Sequence, residues 1–371
     1  MQTTHGSSTA LALHNLAFFP NAQPLTFSLP SGSCTAMLGI GPDNVDLTYL
    51  AETLAGRRPY TAGQIEINGT PCDLRPSSRK KLATIGPHTP LFPHISVWDN
   101  ILLPLRANGT LHKAEITHRG SEILALTGLE ALRMQPASTL DAAQAFRTKL
   151  ARGLITHPDV LVLNQPFENM DQPTIRHTLT FLDRLRHAVG LSILLLSRQK
   201  QNCMLAADQI GIMENGTLLQ VGDVATLLNR PACLSVAAQF GEANVLSAKV
   251  LLIEDDIATL RLPTGETVEA MADENLEEND LASICIPPDR LSVLFPRSGS
   301  METEEKTDLA CTLVSAHHIG HAIAMRFRTL DGTEIIAHRP LVHLPRELRP
   351  GNKAILAWQP QNAIAFPMDA K

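Results

Sequence analysis

Residues 159–163 (DVLVL) and 191–197 (LSILLLS) are short, almost wholly apolar runs, and they restrict the fold more than any other feature of the chain. A strand with one wet face alternates in polarity, whereas a strand apolar on both faces has to be covered on both. Between the two runs, residues 172–189 repeat their apolar positions at helical spacing. Helices are also expected over 46–55, 114–128 and 142–156, and strands over 11–19, 25–29, 33–38, 64–68 and 82–86. Buried strands alternating with helices imply an α/β domain with a largely parallel central sheet.

The strand at 33–38 runs into Gly39-Ile40-Gly41-Pro42-Asp43-Asn44 and then into a helix that ends at Gly56. Strand, glycine-containing loop and helix, in that order, is the layout of a phosphate-binding loop. Beyond about residue 240 the helical period fades. Residues 258–268 (ATLRLPTGETV) and 324–335 (AMRFRTLDGTEI) form a weak repeat, each a strand, a Thr-Gly or Asp-Gly turn and a second strand. The polar stretch 297–308 (RSGSMETEEKTD) reads as an exposed linker between the copies. The C-terminal third is therefore expected to be an all-β, barrel-type module built as a doublet. The acidic run 273–279 (DENLEEN) reads as a solvated face.

Composition narrows the function classes. With 44% hydrophobic and 18% charged residues, the 371-residue chain has enough apolar material for two or three cores. A net charge of -6 and 4% aromatics argue against a nucleic-acid partner. Cys34, Cys72, Cys203, Cys233, Cys285 and Cys311 form no CxxC pair, and the expectation is reduced, buried thiols in a cytosolic protein. The N-terminus MQTTHGSSTA does not resemble a signal peptide, and no run of 18 apolar residues is present. Any membrane role is then expected to pass through a partner. His317, His318 and His321 have a spacing that could hold a metal, but without adjacent cysteines or carboxylates they read first as solvated or packed histidines.

The order of segments resembles the ATP-binding subunit of ABC importers, the group with a C-terminal regulatory β-domain that serves polyamines, maltose, ferric iron or sulfate. The resemblance spans nearly the whole chain. Leu91-Phe92-Pro93-His94-Ile95-Ser96-Val97 with Asn100-Ile101 is similar to that family's LFPHMTV..NI segment. Ala151-Arg152-Gly153-Leu154 stands where the family has ARAL, and Pro158, Val160 to Leu163 and Pro166 frame its second nucleotide motif. Asn169-Met170-Asp171 resembles the D-loop. Ala207-Asp208-Gln209-Ile210, Glu214-Asn215-Gly216, Gln220-Val221-Gly222, Pro231-Ala232 and Phe240 to Asn244 follow in family order. The implied fold is a P-loop ABC cassette over residues 1–240, with a RecA-like core and a helical subdomain at about 90–155. A TOBE-like, OB-type β-domain is implied over 241–371.

The residues that the resemblance would assign to chemistry have nevertheless changed. A phosphate loop uses glycine N–H groups, a lysine for the β/γ charge and a hydroxyl for Mg²⁺. Here Gly39 and Gly41 remain, while Asn44, Val45 and Asp46 replace the last glycine, the lysine and the hydroxyl residue, and Pro42 removes a donor. The expected aspartate and glutamate of the second motif are Asn164 and Gln165. An amide is nearly isosteric with the acid but cannot serve as a general base. The Q-loop position is Pro87 and the switch-histidine position is Arg198. The signature segment reads Leu140-Asp141-Ala142-Ala143-Gln144, and Asp141 is expected to aim a negative charge at a partner's γ-phosphate. Phe19 could stand in for the adenine-stacking aromatic, although a lone phenylalanine in an apolar strand also reads as core.

No catalytic position is intact, so the expectation is a pseudo-ATPase subunit with weak or absent ATP/Mg²⁺ binding, and the resemblance makes polyamine-type the first reading of its solute class. It would lie at the inner face of the plasma membrane on transmembrane permease subunits, paired with a second cassette as a homo- or heterodimer. A weak but genuine ATPase, and a regulatory scaffold that binds a partner or ligand through its β-domain, are the alternatives.

Overall fold

The computed structural model describes residues 8–18, 23–41, 45–72, 81–109, 111–295, 309–341 and 348–368. The linker read at 297–308 lies outside them. Two compact units result, Met1–Val224 and Ala225–Lys371.

The first unit is built on two sheets. Strands β1 (Thr9–Ala17), β2 (Leu25–Pro30), β4 (Ala62–Ile67) and β5 (Thr70–Pro71) form an antiparallel sheet in the order β2-β1-β4-β5. Strands β3 (Cys34–Gly39), β6 (Leu82–Ile85), β7 (Val160–Asn164), β8 (Ser192–Ser197), β9 (Gln209–Glu214) and β10 (Thr217–Gly222) form the second, in the order β10-β9-β3-β8-β7-β6. All its pairings are parallel except β9 with β10. Helix α1 (Val45–Leu54) shares one core with both sheets: Leu47, Leu50 and Leu54 meet Leu11, Leu13, Met37, Val162 and Leu196, all at most 2% exposed. Every residue of β7 and β8 is buried, as their unbroken apolarity requires.

Helices α2 (Val97–Asn108), α3 (Lys113–Thr127) and α4 (Ala142–Leu154) make up the helical part. The sequence reading missed α2 as a separate element because Pro104 lies inside it, where proline usually ends a helix. The Ser96 hydroxyl accepts from Asp99 N–H and starts the helix, and Gly109 closes it at φ 62. Helices α5 (Gln172–Val189) and α6 (Lys200–Ala206) flank β8. Buried Arg186 of α5 donates to the Gly32 carbonyl at 2.9 Å and to Asp208 at 2.7 Å, while Asp208 accepts from Cys34 N–H at 2.8 Å. The Ala207-Asp208 motif is thus a staple between the starts of β3 and β9.

Helix α7 (Val224–Asn229) spans the division between the units. The division falls before the textural change at 240. The physical reason is that Ala237, in a short helical stretch Val236–Phe240, packs with Cys285 and Phe366 of the C-terminal unit. In that unit β11 (Asn244–Glu254), β12 (Ile257–Arg261), β13 (Thr267–Ala272), β14 (Leu281–Ile286) and β20 (Ile364–Pro367) close a barrel in the order β11-β12-β13-β20-β14. Strands β15 (Ser292–Leu294), β16 (Leu309–His318), β17 (Ala322–Thr329), β18 (Glu334–Pro340) and β19 (Lys353–Ala357) form a five-stranded sheet in the order β15-β19-β16-β17-β18. The doublet is therefore unequal: one half closes into a barrel and the other stays a sheet. Asn244 joins them, exchanging bonds with the Ile336 backbone at 2.7 and 2.8 Å. The run 273–279 is a loop whose Leu276 is buried among exposed acids. His317, His318 and His321 are exposed at the β16–β17 turn. Among the described residues, no helix is long and apolar enough to cross a membrane.

Candidate functional site

Parallel strands deliver their C-terminal ends to one edge of a sheet, and the loops that follow converge there. Register makes this concrete: Leu38 pairs with Ser197, Gly39 with Met213, Asn164 with Leu196 and Ile85 with Leu163. Gly39, Gly41, Pro87, Asn164, Gln165 and Arg198 all follow from those ends. Gly41 has φ 94, a conformation that favours glycine. Its carbonyl accepts from Arg198 Nη2 at 3.0 Å, so a guanidinium lies against the loop. The Glu214 carboxylate is also near, with Oε1 3.8 Å from where a Gly41 Cβ would be. Phe19 and Asn44 lie outside the described residues, as do the side chains of Val45 and Asp46, although both residues begin α1.

Asn164 is 7% exposed, and among the described residues its Oδ1 has no hydrogen-bond partner. Gly86 presses on it: a Cβ at Gly86 would stand 2.9 Å from Asn164 Cβ and 3.0 Å from its carbonyl oxygen. Gln165 follows at φ 46 with its N–H on the Leu196 carbonyl at 2.9 Å. A non-glycine residue there is strained by about 1 kcal/mol. The pair presents two neutral amides at a sheet edge, with no general base and no anionic oxygen.

Pro87 is exposed, in a turn held from both sides. Thr89 Oγ1 accepts from Gly86 N–H and donates to its carbonyl, at 2.9 and 3.0 Å. Arg152 of α4 donates to the Thr89 carbonyl at 2.6 Å and to that of Pro90 at 2.9 Å, and Arg57 donates to the His88 carbonyl. Beyond the turn, fully buried Asn100 accepts from Phe92 N–H at 2.8 Å and donates to the carbonyls of Phe92 and Ser96. That network explains the Leu91–Asn100 motif: an asparagine ties down a loop that leaves Phe92 58% exposed.

The signature segment is not brought to this edge by any described contact. Asp141 caps α4, accepting from Gln144 N–H at 2.8 Å, while Gln144 Oε1 accepts from Asp141 N–H at 3.1 Å. Oδ1 of the carboxylate is thus engaged by its own helix in a capping box. Leu140 and Ala142–Ala143 flank the cap. Asn169 has φ 64, Met170 N–H bonds the Phe167 carbonyl at 3.3 Å, and Asp171 caps α5 through Thr174 N–H at 2.9 Å. The Thr174 bonds hold the Asp171 carboxyl below its ordinary value. Asn100 and Arg152, quoted in the sequence only as parts of motifs, emerge as polar ties of the loop after β6, while Asp208 ties the opposite edge of the sheet. Their signal was a polar residue fixed within an apolar framework.

Comparison with known proteins agrees with this architecture. The ABC transporter family profile matches residues 22–168, and the TOBE domain profile matches residues 284–366. The spermidine/putrescine import ATP-binding protein of Mesorhizobium japonicum is 30% identical over 281 residues, 76% of this chain and 74% of that protein. The chain belongs to the ABC transporter family. The corresponding protein of Rubrobacter xylanophilus is 27% identical over 97% of this chain and 94% of its own length. The molybdate/tungstate import ATP-binding protein of Thermococcus kodakarensis is 32% identical over 69% of this chain and 80% of its own. Among solved structures, cbiO1 of Clostridium perfringens, part of an ABC transporter complex, shares the fold. Its TM-score is 0.53, with 20% identity over 62% of this chain and 98% of that one. The β-sheet edge just described is thus the edge of an ABC cassette, followed by a TOBE domain.

Proposed function

We propose that this chain is the cassette subunit of an ABC importer in which ATP hydrolysis has been lost. One observation carries the reading: the end of β7 offers the amides of Asn164 and Gln165, one buried beneath Gly86 and the other held by Leu196. Neither can accept a proton from water or bring charge to Mg²⁺. Val45 supplies no cation to the loop, and Asp43 and Asp46 add negative charge. One unit charge about 4 Å from a phosphate oxygen is worth roughly 4 kcal/mol at an effective dielectric of 20. This donor set does not fit Mg²⁺-triphosphate. The cassette is taken to run to about residue 240 and the TOBE domain from 241. Its relatives' names include both polyamine and oxyanion importers; the polyamine class is proposed, on the near full-length match. The partners are transmembrane permease subunits, against which exposed Phe92 stands ready, and a second cassette, at the inner face of the membrane.

A second reading, binding without turnover, is favoured by Arg198, whose guanidinium at Gly41 could replace the missing lysine charge. Titration of a fluorescent ATP analogue with Mg²⁺, alongside phosphate release, separates the readings. No saturation below about 1 mM supports the main proposal. Micromolar binding with no phosphate release, abolished by Arg198→Ala, supports the second. Steady phosphate release by the wild-type chain refutes both.

A further inference from the structure

The C-terminal unit contains a cavity of about 130 Å³ to which the cassette chemistry gives no role. Its wall is apolar at Leu228, Ala237, Cys285 and Ile364 and polar at Asn229, Arg290, Gln361 and Asn362. Among the described residues, Arg290 carries the one formal charge on that wall. The Cys285 thiol stays neutral, because burial, reinforced by Cys233, pushes it up to about 12. The Arg290 guanidinium has a single partner among the described residues, the neutral Asn229 Oδ1 at 3.2 Å. The neighbouring acid does not compensate it, since Asp289 is engaged by His338 Nδ1 at 2.8 Å.

A cationic fork over an apolar hollow selects for a matching shape: a planar anion with a hydrophobic body. We propose that this cavity binds a small organic carboxylate, its body among Leu228, Ala237 and Ile364 and its carboxylate on Arg290. Guanidinium and carboxylate pair bidentately, which an ammonium group of the ligand cannot do and a neutral amide does more weakly. Inorganic phosphate or sulfate would meet the charge but leave the apolar wall uncovered. The volume is close to that of an apolar cavity that holds benzene, so the ligand has about six to nine non-hydrogen atoms. The lining residues belong to the second unit, and occupancy of the cavity does not depend on whether the cassette hydrolyses ATP.

The test uses the full chain with benzoate, benzamide and benzylamine as isosteric probes, read by isothermal titration calorimetry and saturation-transfer NMR. Benzoate is expected to bind with Kd below about 1 mM and at least tenfold more tightly than the other two. Arg290→Gln should weaken benzoate about 10- to 100-fold and abolish its preference over benzamide. Leu228→Trp fills the mouth at a wall position that is 36% exposed, and should remove binding of all three probes without lowering the melting temperature. Equal affinity for benzoate and benzamide overturns the carboxylate assignment. Benzoate binding that survives both substitutions places the ligand elsewhere and overturns the site, as does the absence of benzoate binding below about 1 mM.

Discussion

Gly86 and Asn164 show how little room the site leaves at the scale of single residues. A methyl group at Gly86 would meet both Asn164 Cβ and backbone oxygen, and the backbone oxygen cannot swing away as a side chain could. Gly86→Ala should therefore destabilise the first unit by about 1–3 kcal/mol, seen as a lower urea midpoint with an unchanged slope. Acids in the first turns of helices set the response to pH. Asp99 lies below its ordinary value of 3.8, through the Ser96 hydroxyl first and Arg106 second. A carboxyl with a depressed folded pKa binds its proton more readily in the unfolded chain. Its stabilisation is complete above 3.8 and is lost as pH falls through the folded value. Thermal melts of wild type and Asp99→Asn should converge as pH drops below about 4, and parallel curves from pH 7 to 3 would show that the Asp99 charge does not matter.

At the scale of elements, α4 is tied down at both ends. Its N-terminus is closed by the Asp141–Gln144 box, and its C-terminal turn sends Arg152 to the carbonyls of Thr89 and Pro90. Asp141→Ala should cost about 1 kcal/mol in chemical denaturation, because orphan N–H groups at the helix start lose their acceptor. Asp141→Asn should recover most of that loss, since an amide oxygen caps nearly as well. The helix itself is legible in the sequence, as are α1, α3 and α5, because each repeats apolar positions at helical spacing. The cap is legible too, as Asp-x-x-Gln before an apolar run. The hydrogen bonds add that Oδ1 of Asp141 meets Gln144 N–H. Helix α2 is hidden by Pro104, and Asn100 by the fact that an asparagine in a loop motif does not reveal which backbone groups it satisfies.

At the scale of the whole molecule, two units carry separate cores, and the cysteines lie within them. Burial first of all pushes the thiols of Cys34, Cys203, Cys285 and Cys311 up to about 12, Cys72 is buried, and Cys233 is half-buried. Titration with a disulfide reagent at pH 8 should label Cys233 alone in the native protein and all six cysteines in guanidinium. Rapid native labelling of several thiols would contradict the packing of both cores.

What the sequence determined by itself was everything local in period or composition. The apolar runs required a buried parallel sheet, the glycine loop required a strand–helix turn, and Val45, Asn164 and Gln165 put uncharged side chains at named positions. What only the tertiary structure decided was which distant segments meet. Strand β20, from the end of the chain, closes the barrel between β13 and β14, while β15 joins the second sheet beside β19. Arg198 reaches Gly41 across 157 residues, and Arg290 meets Asn229 across 61. Periodicity records which face of an element is buried but not what covers it, so pairings between elements far apart in the chain leave no local trace.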